Sequence, residues 1–141
     1  MRTILSFFLT VMLVTGNLCQ AQEIALTDPE LLTIQEQTLV PFFEALKNGD
    51  ISEIKEHMSL VLYGKNRVLL EENRDYPVFL RDYYSDVSFR VVKAEMGITG
   101  EDIIFHVSIE FPDGRSSINE LKLSRRNRGD LQSHVWVIEK F

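Results

Sequence analysis

The segment DIIFHVSIEF, residues 102–111, has the most regular β-strand pattern in the chain. Apolar side chains alternate with mainly polar ones, and successive side chains of a strand point to opposite faces. The pattern therefore predicts a strand with one face against a hydrophobic core. That inward face consists of Ile103, Phe105, Val107, Ile109 and Phe111, and the opposite face of Asp102, Ile104, His106, Ser108 and Glu110.

Three further strands are predicted around this segment. Residues 112–114, Pro-Asp-Gly, are typical of a hairpin turn and lead into a strand over 115–126. Residues 127–130 predict a second turn before a last strand over 131–141. In the strand before the segment, residues 87–96, the apolar positions switch parity, which predicts a β-bulge near residues 91–93. Consecutive hairpins of this kind form an antiparallel sheet.

The chain before these strands is predicted to be helical. Thr27 as the N-cap, Pro29 in the first turn and Glu30 as the capping-box partner predict a helix start. Pro41 cannot donate a backbone hydrogen bond, so we expect a kink there. At about 100° per residue, one apolar stripe of this helix contains Leu32, Leu39, Phe42, Phe43 and Leu46.

Capping residues and prolines predict the later helices. Residues 48–50, Asn-Gly-Asp, should close the first helix and cap a second, whose apolar side holds Ile51, Ile54 and Met58. Residues 60–63 are β-like, and residues 66–84 predict a third helical region that Pro77 divides or begins. Helices followed by one curved antiparallel sheet make an α+β domain, with the helices packed on the sheet's apolar face.

Residues 1–21 are predicted to be a secretory signal peptide. Arg2 gives a positive start, residues 4–14 are almost entirely apolar, and Cys19-Gln20-Ala21 fits a cleavage site. The apolar run is shorter than the ~20 residues of a transmembrane helix. We therefore expect no transmembrane segment and a single domain over residues 22–141, periplasmic or secreted after cleavage near Ala21.

Cys19 is the one cysteine in the chain. Lipid attachment at Cys19 is disfavoured because Leu18, rather than a small residue, precedes it. Its removal with the leader would exclude disulfides, thiolate catalysis and zinc–thiolate sites. The sequence contains no Asn-x-Ser/Thr sequon, which favours a bacterial periplasm over a glycosylated product.

Composition narrows the class of protein. Of 141 residues, 45% are hydrophobic and 26% are charged, and the formal net charge is −6. These values are ordinary for a globular domain and argue against collagen, coiled coils and disorder. The negative charge disfavours nucleic acid and anionic membranes as partners.

Three segments resemble the nuclear transport factor 2-like superfamily. FFEALKNGD, residues 42–50, looks like that family's first helix running into a Gly-Asp turn, residues 77–84 are placed like its third helix, and WVIEKF, residues 136–141, is similar to its closing strand. The resemblance implies the cone-shaped fold of ketosteroid isomerase and scytalone dehydratase. It implies no single activity, because the superfamily includes enzymes, ligand binders, toxin-immunity proteins and dimerisation modules.

The resemblance implies that any chemistry would lie inside the cone. Family isomerases use a carboxylate base with a Tyr and a protonated carboxylic acid as donors. That set cannot be matched here residue by residue, so we predict no catalytic residue and no cofactor. The candidate cavity residues are Tyr63, Tyr76, Phe79 and Tyr83.

The other chemical candidates are local. Asp102, His106 and Glu110 share one strand face, but residues four apart lie ~13 Å apart along a strand, so each would need partners from neighbouring strands. Glu53 and His57 are spaced for a surface pair on a helix, and no metal site is predicted from them. The basic residues Lys122, Arg125, Arg126 and Arg128 are typical of a soluble hairpin end, with an anion or acidic partner as the alternative.

The favoured interpretation is a non-enzymatic exported domain that binds a small apolar ligand or a partner protein. The alternatives are a cavity enzyme of the ketosteroid isomerase or dehydratase type and a dimerisation or assembly module. Both faces of the last strand are apolar, which predicts a homodimer through the sheet. The interface candidates are His106, Trp136 and Ile138.

Overall fold

A computed structural model describes residues 21–127 and 134–141. Within these residues the protein is α+β, with helices N-terminal to the main strands of an open antiparallel sheet of five strands in the order β1-β2-β3-β4-β5. The fold class predicted from the sequence is therefore confirmed. The residues outside this description are 1–20 of the predicted leader, 128–130 of the predicted second turn, Arg128 among them, and 131–133 of the predicted last strand.

The sheet follows the predicted strand order. Its strands are β1 (Gln22–Ile24), β2 (Ser88–Met96), β3 (Asp102–Glu110), β4 (Ser116–Asn127) and β5 (His134–Lys140). The β-bulge predicted near residues 91–93 is confirmed, because the β2–β3 register shifts between Val91 and Lys93. The Pro-Asp-Gly hairpin is also confirmed, with Phe111 N–H donating to the Arg115 carbonyl at 2.9 Å. The short edge strand β1 has no counterpart in the sequence prediction.

The helical part of the chain contains α1 (Pro29–Ile34), a π-helical turn (Gln35–Leu39), α2 (Val40–Asn48) and α3 (Ile51–Glu56). The N-cap is Asp28 rather than Thr27, because the Asp28 carboxylate accepts from the N–H groups of Glu30 and Leu31 at 2.9 and 3.1 Å. The predicted junction at Gly49 and Asp50 is confirmed: Gly49 is left-handed at φ 65°, and Asp50 accepts from Glu53 N–H at 3.1 Å.

The predicted apolar stripe of the first helix was wrong at Leu32. Leu31 is 1% exposed and points into the core, whereas Leu32 is 45% exposed. At about 100° per residue Leu31 lies about 20° from Phe42, near the centre of the buried face, whereas Leu32 lies about 80° from it, near the edge. The π-helical turn separates this part of the helix from α2. Pro41 lies directly after that turn and the helix continues through it.

Residues 60–63 are helical, so the prediction of a β-like run there was wrong. They begin α4 (Leu60–Arg67), which passes into a second π-helical turn (Val68–Glu72). Ser59 sets this start, because its hydroxyl accepts from Leu62 N–H at 3.1 Å. The last helix is α5 (Tyr76–Tyr84). Pro77 lies in its first turn, which was one of the two arrangements predicted from the sequence.

The core lies between the helices and one face of the sheet. The inward face predicted for β3 is confirmed at Ile103, Phe105, Val107 and Ile109, each at most 3% exposed. The outer edge of β5 is covered by the chain between α3 and α4, where Ile138 N–H donates to His57 carbonyl at 2.8 Å and Ser59 N–H to Ile138 carbonyl at 2.9 Å. These hydrogen bonds occupy backbone groups at the edge of the sheet that could otherwise pair with another chain.

Candidate functional site

A cavity of about 90 Å³ lies among the helices. Every helix from α2 to α5 lines it, and the sheet side contributes Phe141, which follows β5. The space between helices and sheet is instead filled by core side chains such as Phe105 and Leu121, both 0% exposed. The apolar lining consists of Phe42, Leu46, Ile54, Met58, Leu62, Leu70, Leu80 and Phe141.

The polar groups of the cavity are Asn66, Tyr76 and Tyr84. The Asn66 amide nitrogen donates to the Leu62 carbonyl at 2.9 Å, which holds the side chain in place and leaves its amide oxygen as an acceptor. Burial raises the pKa of the Tyr76 hydroxyl, and burial followed by the neighbouring tyrosines raises the pKa of Tyr84. Both phenols therefore stay protonated near neutral pH and can donate a hydrogen bond.

Of the four predicted cavity residues, the structure places one in the lining. Tyr76 lines the cavity, whereas Phe79 and Tyr83 lie on the outer surface of α5, 53% and 44% exposed. The physical reason is that α5 turns Tyr76, Leu80 and Tyr84 inward at four-residue spacing, so residues 79 and 83 face away. Contrary to the prediction, Phe79 and Tyr83 therefore do not line this cavity.

Tyr63 packs against the core but directs its hydroxyl to the surface. It donates a short hydrogen bond to the Glu71 carboxylate, which also accepts from Lys55 Nζ at 3.0 Å. The Tyr63 and Lys55 hydrogen bonds lower the pKa of Glu71, and the Glu71 carboxylate raises the pKa of Tyr63. This group connects α3 to the second π-helical turn and does not line the cavity.

Two polar lining residues, Asn66 and Tyr84, were not among the predicted site residues. The signal that could have found Tyr84 is its spacing of eight from Tyr76 on one helix. Asn66 carries no such signal, because residues 60–63 were predicted as β-like and the register of α4 was therefore not assigned.

The polar face of β3 forms cross-strand pairs on the outer side of the sheet. His106 Nε2 lies 2.9 Å from Glu95 Oε2, and Lys122 Nζ lies 2.7 Å from Asp102 Oδ2. Glu110 pairs with Arg90 at 3.3 Å. Asp102, His106 and Glu110 thus each have a separate partner and do not form one site.

The predicted interface residues His106, Trp136 and Ile138 differ in where they lie. His106 lies on the outer face of the sheet, with 19% of its side chain exposed. Ile138 is 0% exposed in the core, and Trp136 packs against that core with the Arg125 guanidinium 5.1 Å from its ring centre. The inward face of β5 therefore accounts for Trp136 and Ile138, and neither forms an outer surface.

The predicted helix pair is present, since His57 Nε2 lies 2.9 Å from Glu53 Oε1. Among residues 21–127 and 134–141, no group of three or more His, Cys, Asp or Glu side chains is arranged to hold a metal ion. In the same residues, no helix has the length and apolar character that crossing a membrane would require.

Comparison with known proteins adds no assignment to this site. No protein-family model, curated protein or solved structure matches the chain.

Proposed function

We propose that the protein is a binding module whose helical cavity takes a small, mainly apolar molecule with one hydrogen-bonding group. The observation that carries this proposal is the lining: eight apolar side chains surround two protonated phenols and one amide. Ligand sites commonly combine apolar walls with a few placed polar groups. Among the described lining residues there is no carboxylate or imidazole to act as a general base, so the lining favours binding over proton transfer.

The volume limits the size of the ligand. An apolar cavity of about 150 Å³ holds benzene in another protein, and the cavity here is about 90 Å³. We therefore expect a ligand smaller than benzene. Xenon and 2-propanol are suitable probes, because the first tests the apolar walls and the second adds one hydroxyl.

Binding of the two probes can be tested by NMR titration of the purified protein. Leu70 lines the cavity and its neighbour Leu69 is 42% exposed outside it, so the same substitution at both positions is a matched pair. We expect Leu70→Phe to abolish binding of both probes and Leu69→Phe to leave it unchanged. Binding unchanged in a folded Leu70→Phe variant, or absent from the wild type, would overturn the proposal.

A milder variant tests the polar part of the cavity without filling it. Tyr84→Phe removes one hydroxyl and keeps the ring, so we expect several-fold weaker binding of 2-propanol and unchanged binding of xenon. Equal affinity for 2-propanol in this variant would remove Tyr84 from the site. Because the ring is preserved, the experiment stays informative if Leu70→Phe does not fold.

We also propose that the protein is exported and belongs to the nuclear transport factor 2-like superfamily. Support comes from the signal-peptide pattern of residues 1–21 and from the order of helices and strands that the resemblance implies. Mass spectrometry of the protein from its native host tests export directly. A mature chain beginning near Gln22 is expected, and a chain retaining residues 2–20 would contradict it.

We further propose a homodimer through the outer face of the sheet. Ile118 on β4 is 66% exposed on this face, and Ile104 and His106 lie on the neighbouring strand. An exposed apolar residue beside complementary charges suits a self-complementary interface. Sedimentation should give a dimer at micromolar concentration that Ile118→Lys dissociates, and a monomeric wild type would refute it.

A further inference from the structure

Two exposed aromatic rings and one half-buried ring, that of Phe111, form a continuous surface between α5 and the end of β3. The ring centres of Phe79 and Tyr83 lie 5.6 Å apart, and those of Tyr83 and Phe111 lie 5.4 Å apart at an angle of 72°. We name these three side chains the aromatic corner. Clustered exposed aromatics on a small domain are typical of interaction surfaces, and the cavity described above does not involve them.

A groove of about 310 Å³ lies beside Tyr83 and Phe111, and its charges are predominantly negative. Among the lining residues that the structure describes, three are acidic, Asp82, Asp86 and Asp113, and one is basic, Arg115. Arg115 Nε lies 2.6 Å from Asp113 Oδ2, so that pair is already neutralised. Asp82 and Asp86 form no ion pair with any residue that the structure describes, so the groove retains a local negative charge.

The chain itself shows how this surface receives a cation. The Arg115 guanidinium lies 5.1 Å from the centre of the Phe111 ring while Asp113 holds it from the side. An aromatic ring attracts a guanidinium through its electron-rich face, and a carboxylate adds a charge-assisted hydrogen bond. Tyr83, Asp82 and Asp86 line the same groove, so a ring and two carboxylates are available there to a cation from a partner.

We propose that this groove binds an arginine or lysine side chain from a basic segment of a partner protein. The volume accommodates a guanidinium or ammonium together with part of its aliphatic stem. The net charge of −6 on the whole chain also steers a basic partner toward the protein. The groove is separate from the helical cavity, and binding in the groove does not depend on a ligand in that cavity.

The test is an NMR titration of the full protein with an end-blocked peptide of six arginines, and with six glutamines as the uncharged control. Amide signals of residues 82–86 and 111–115 should shift with the arginine peptide and not with the glutamine peptide. The double variant Asp82→Asn/Asp86→Asn should weaken binding at least tenfold. Absence of binding, or equal binding of the glutamine peptide, would overturn the proposal.

A matched variant separates the groove from general attraction to an acidic protein. Glu36→Gln/Glu56→Gln removes the same charge from helical positions elsewhere, and we expect it to change affinity less than twofold. Equal weakening by both double variants would show diffuse attraction and refute the site. Tyr83→Leu tests the ring separately and should weaken binding several-fold with both carboxylates in place, whereas unchanged affinity would remove Tyr83 from the site.

Discussion

Gly97 and Asp102 form the base of the loop between β2 and β3. Gly97 N–H donates to the Asp102 carbonyl at 2.8 Å, and the Asp102 carboxylate accepts from Thr99 Oγ1 at 3.1 Å and Lys122 Nζ at 2.7 Å. A Cβ atom at position 97 would lie 1.9 Å from Asp102 Oδ1. At the residue scale, close approach of a hydrogen-bonded carboxylate therefore requires glycine at position 97.

We predict that Gly97→Ala lowers the free energy of unfolding by about 1–3 kcal/mol, because the carboxylate must give up hydrogen bonds to make room. Gly64→Ala is the control, since a Cβ there meets nothing within 4 Å. Gly64 lies inside α4, where alanine is favoured, so that change should stabilise by about 0.5–1 kcal/mol. Urea unfolding measures both, and equal effects would contradict the prediction.

Asp102 also predicts a pH dependence of stability. The Lys122 ammonium, followed by the Thr99 hydroxyl, lowers the pKa of its carboxyl group in the folded state. This contribution to stability is complete above the unfolded-state pKa of about 3.9 and is lost as the pH falls through the folded-state pKa. The stability advantage of wild type over Asp102→Asn should therefore narrow from about pH 6 to about pH 3. A constant difference between the urea-unfolding curves across that range would refute this.

At the element scale, α1 and α2 present one continuous buried face across the π-helical turn before Pro41. Val40 N–H donates to the Gln35 carbonyl five residues earlier. Leu31, Thr38 and Phe42 are each at most 2% exposed, and at about 100° per residue they lie within about 40° of one another around the helix. The same repeat places Leu32 about 80° from Phe42, near the edge of the buried face, so the predicted stripe was displaced toward Leu32.

The two leucines of α1 test this assignment of the buried face. We predict that Leu31→Ala destabilises the protein by about 2–5 kcal/mol, because it leaves a cavity in the core. Leu32→Ala should cost less than about 1 kcal/mol, because that side chain already contacts solvent. Chemical denaturation of the two variants measures the contrast. Similar losses at both positions would contradict this assignment.

At the scale of the whole molecule, the last residue of the sheet side closes the helical cavity. The Phe141 ring packs edge-on against Phe42 at 5.2 Å between ring centres and lines the cavity while remaining 41% exposed. Phe42 in α2 and Phe141 after β5 thus share one wall although they are far apart in the chain. The size of the cavity depends on how the end of β5 docks on α2.

We predict that Phe141→Ala enlarges the cavity enough to admit benzene, which the wild type excludes. Loss of the half-exposed ring should lower the free energy of unfolding by about 1–2 kcal/mol. Benzene titration followed by NMR measures the first effect and urea unfolding the second, with exposed Lys140→Ala as the control. A folded variant that still excludes benzene would show that Phe141 does not close the cavity.

Local patterns sufficed for several features of the fold and for little of the site. The alternation of β3, the parity switch at Val91–Lys93 and the Gly49–Asp50 junction depend on near neighbours, so the sequence predicted them correctly. The site depends on the rotation of α5 and on the register of α4. A shift of one residue along α5 or α4 moves a side chain from the cavity to solvent. For this reason Tyr84, which follows the predicted Tyr83, was missed, whereas Tyr76 was identified.

The sequence by itself determined the α+β class, the antiparallel order of the main strands and the face of β3 that enters the core. These features arise from side-chain periodicity and turn residues, which act over a few positions. Only the tertiary structure decided that β5 keeps Trp136 and Ile138 on the core side, that the cavity lies among the helices, and that Phe79 and Tyr83 face outward. Those outcomes result from packing between segments far apart in the chain, where the fit of whole elements outweighs local preference.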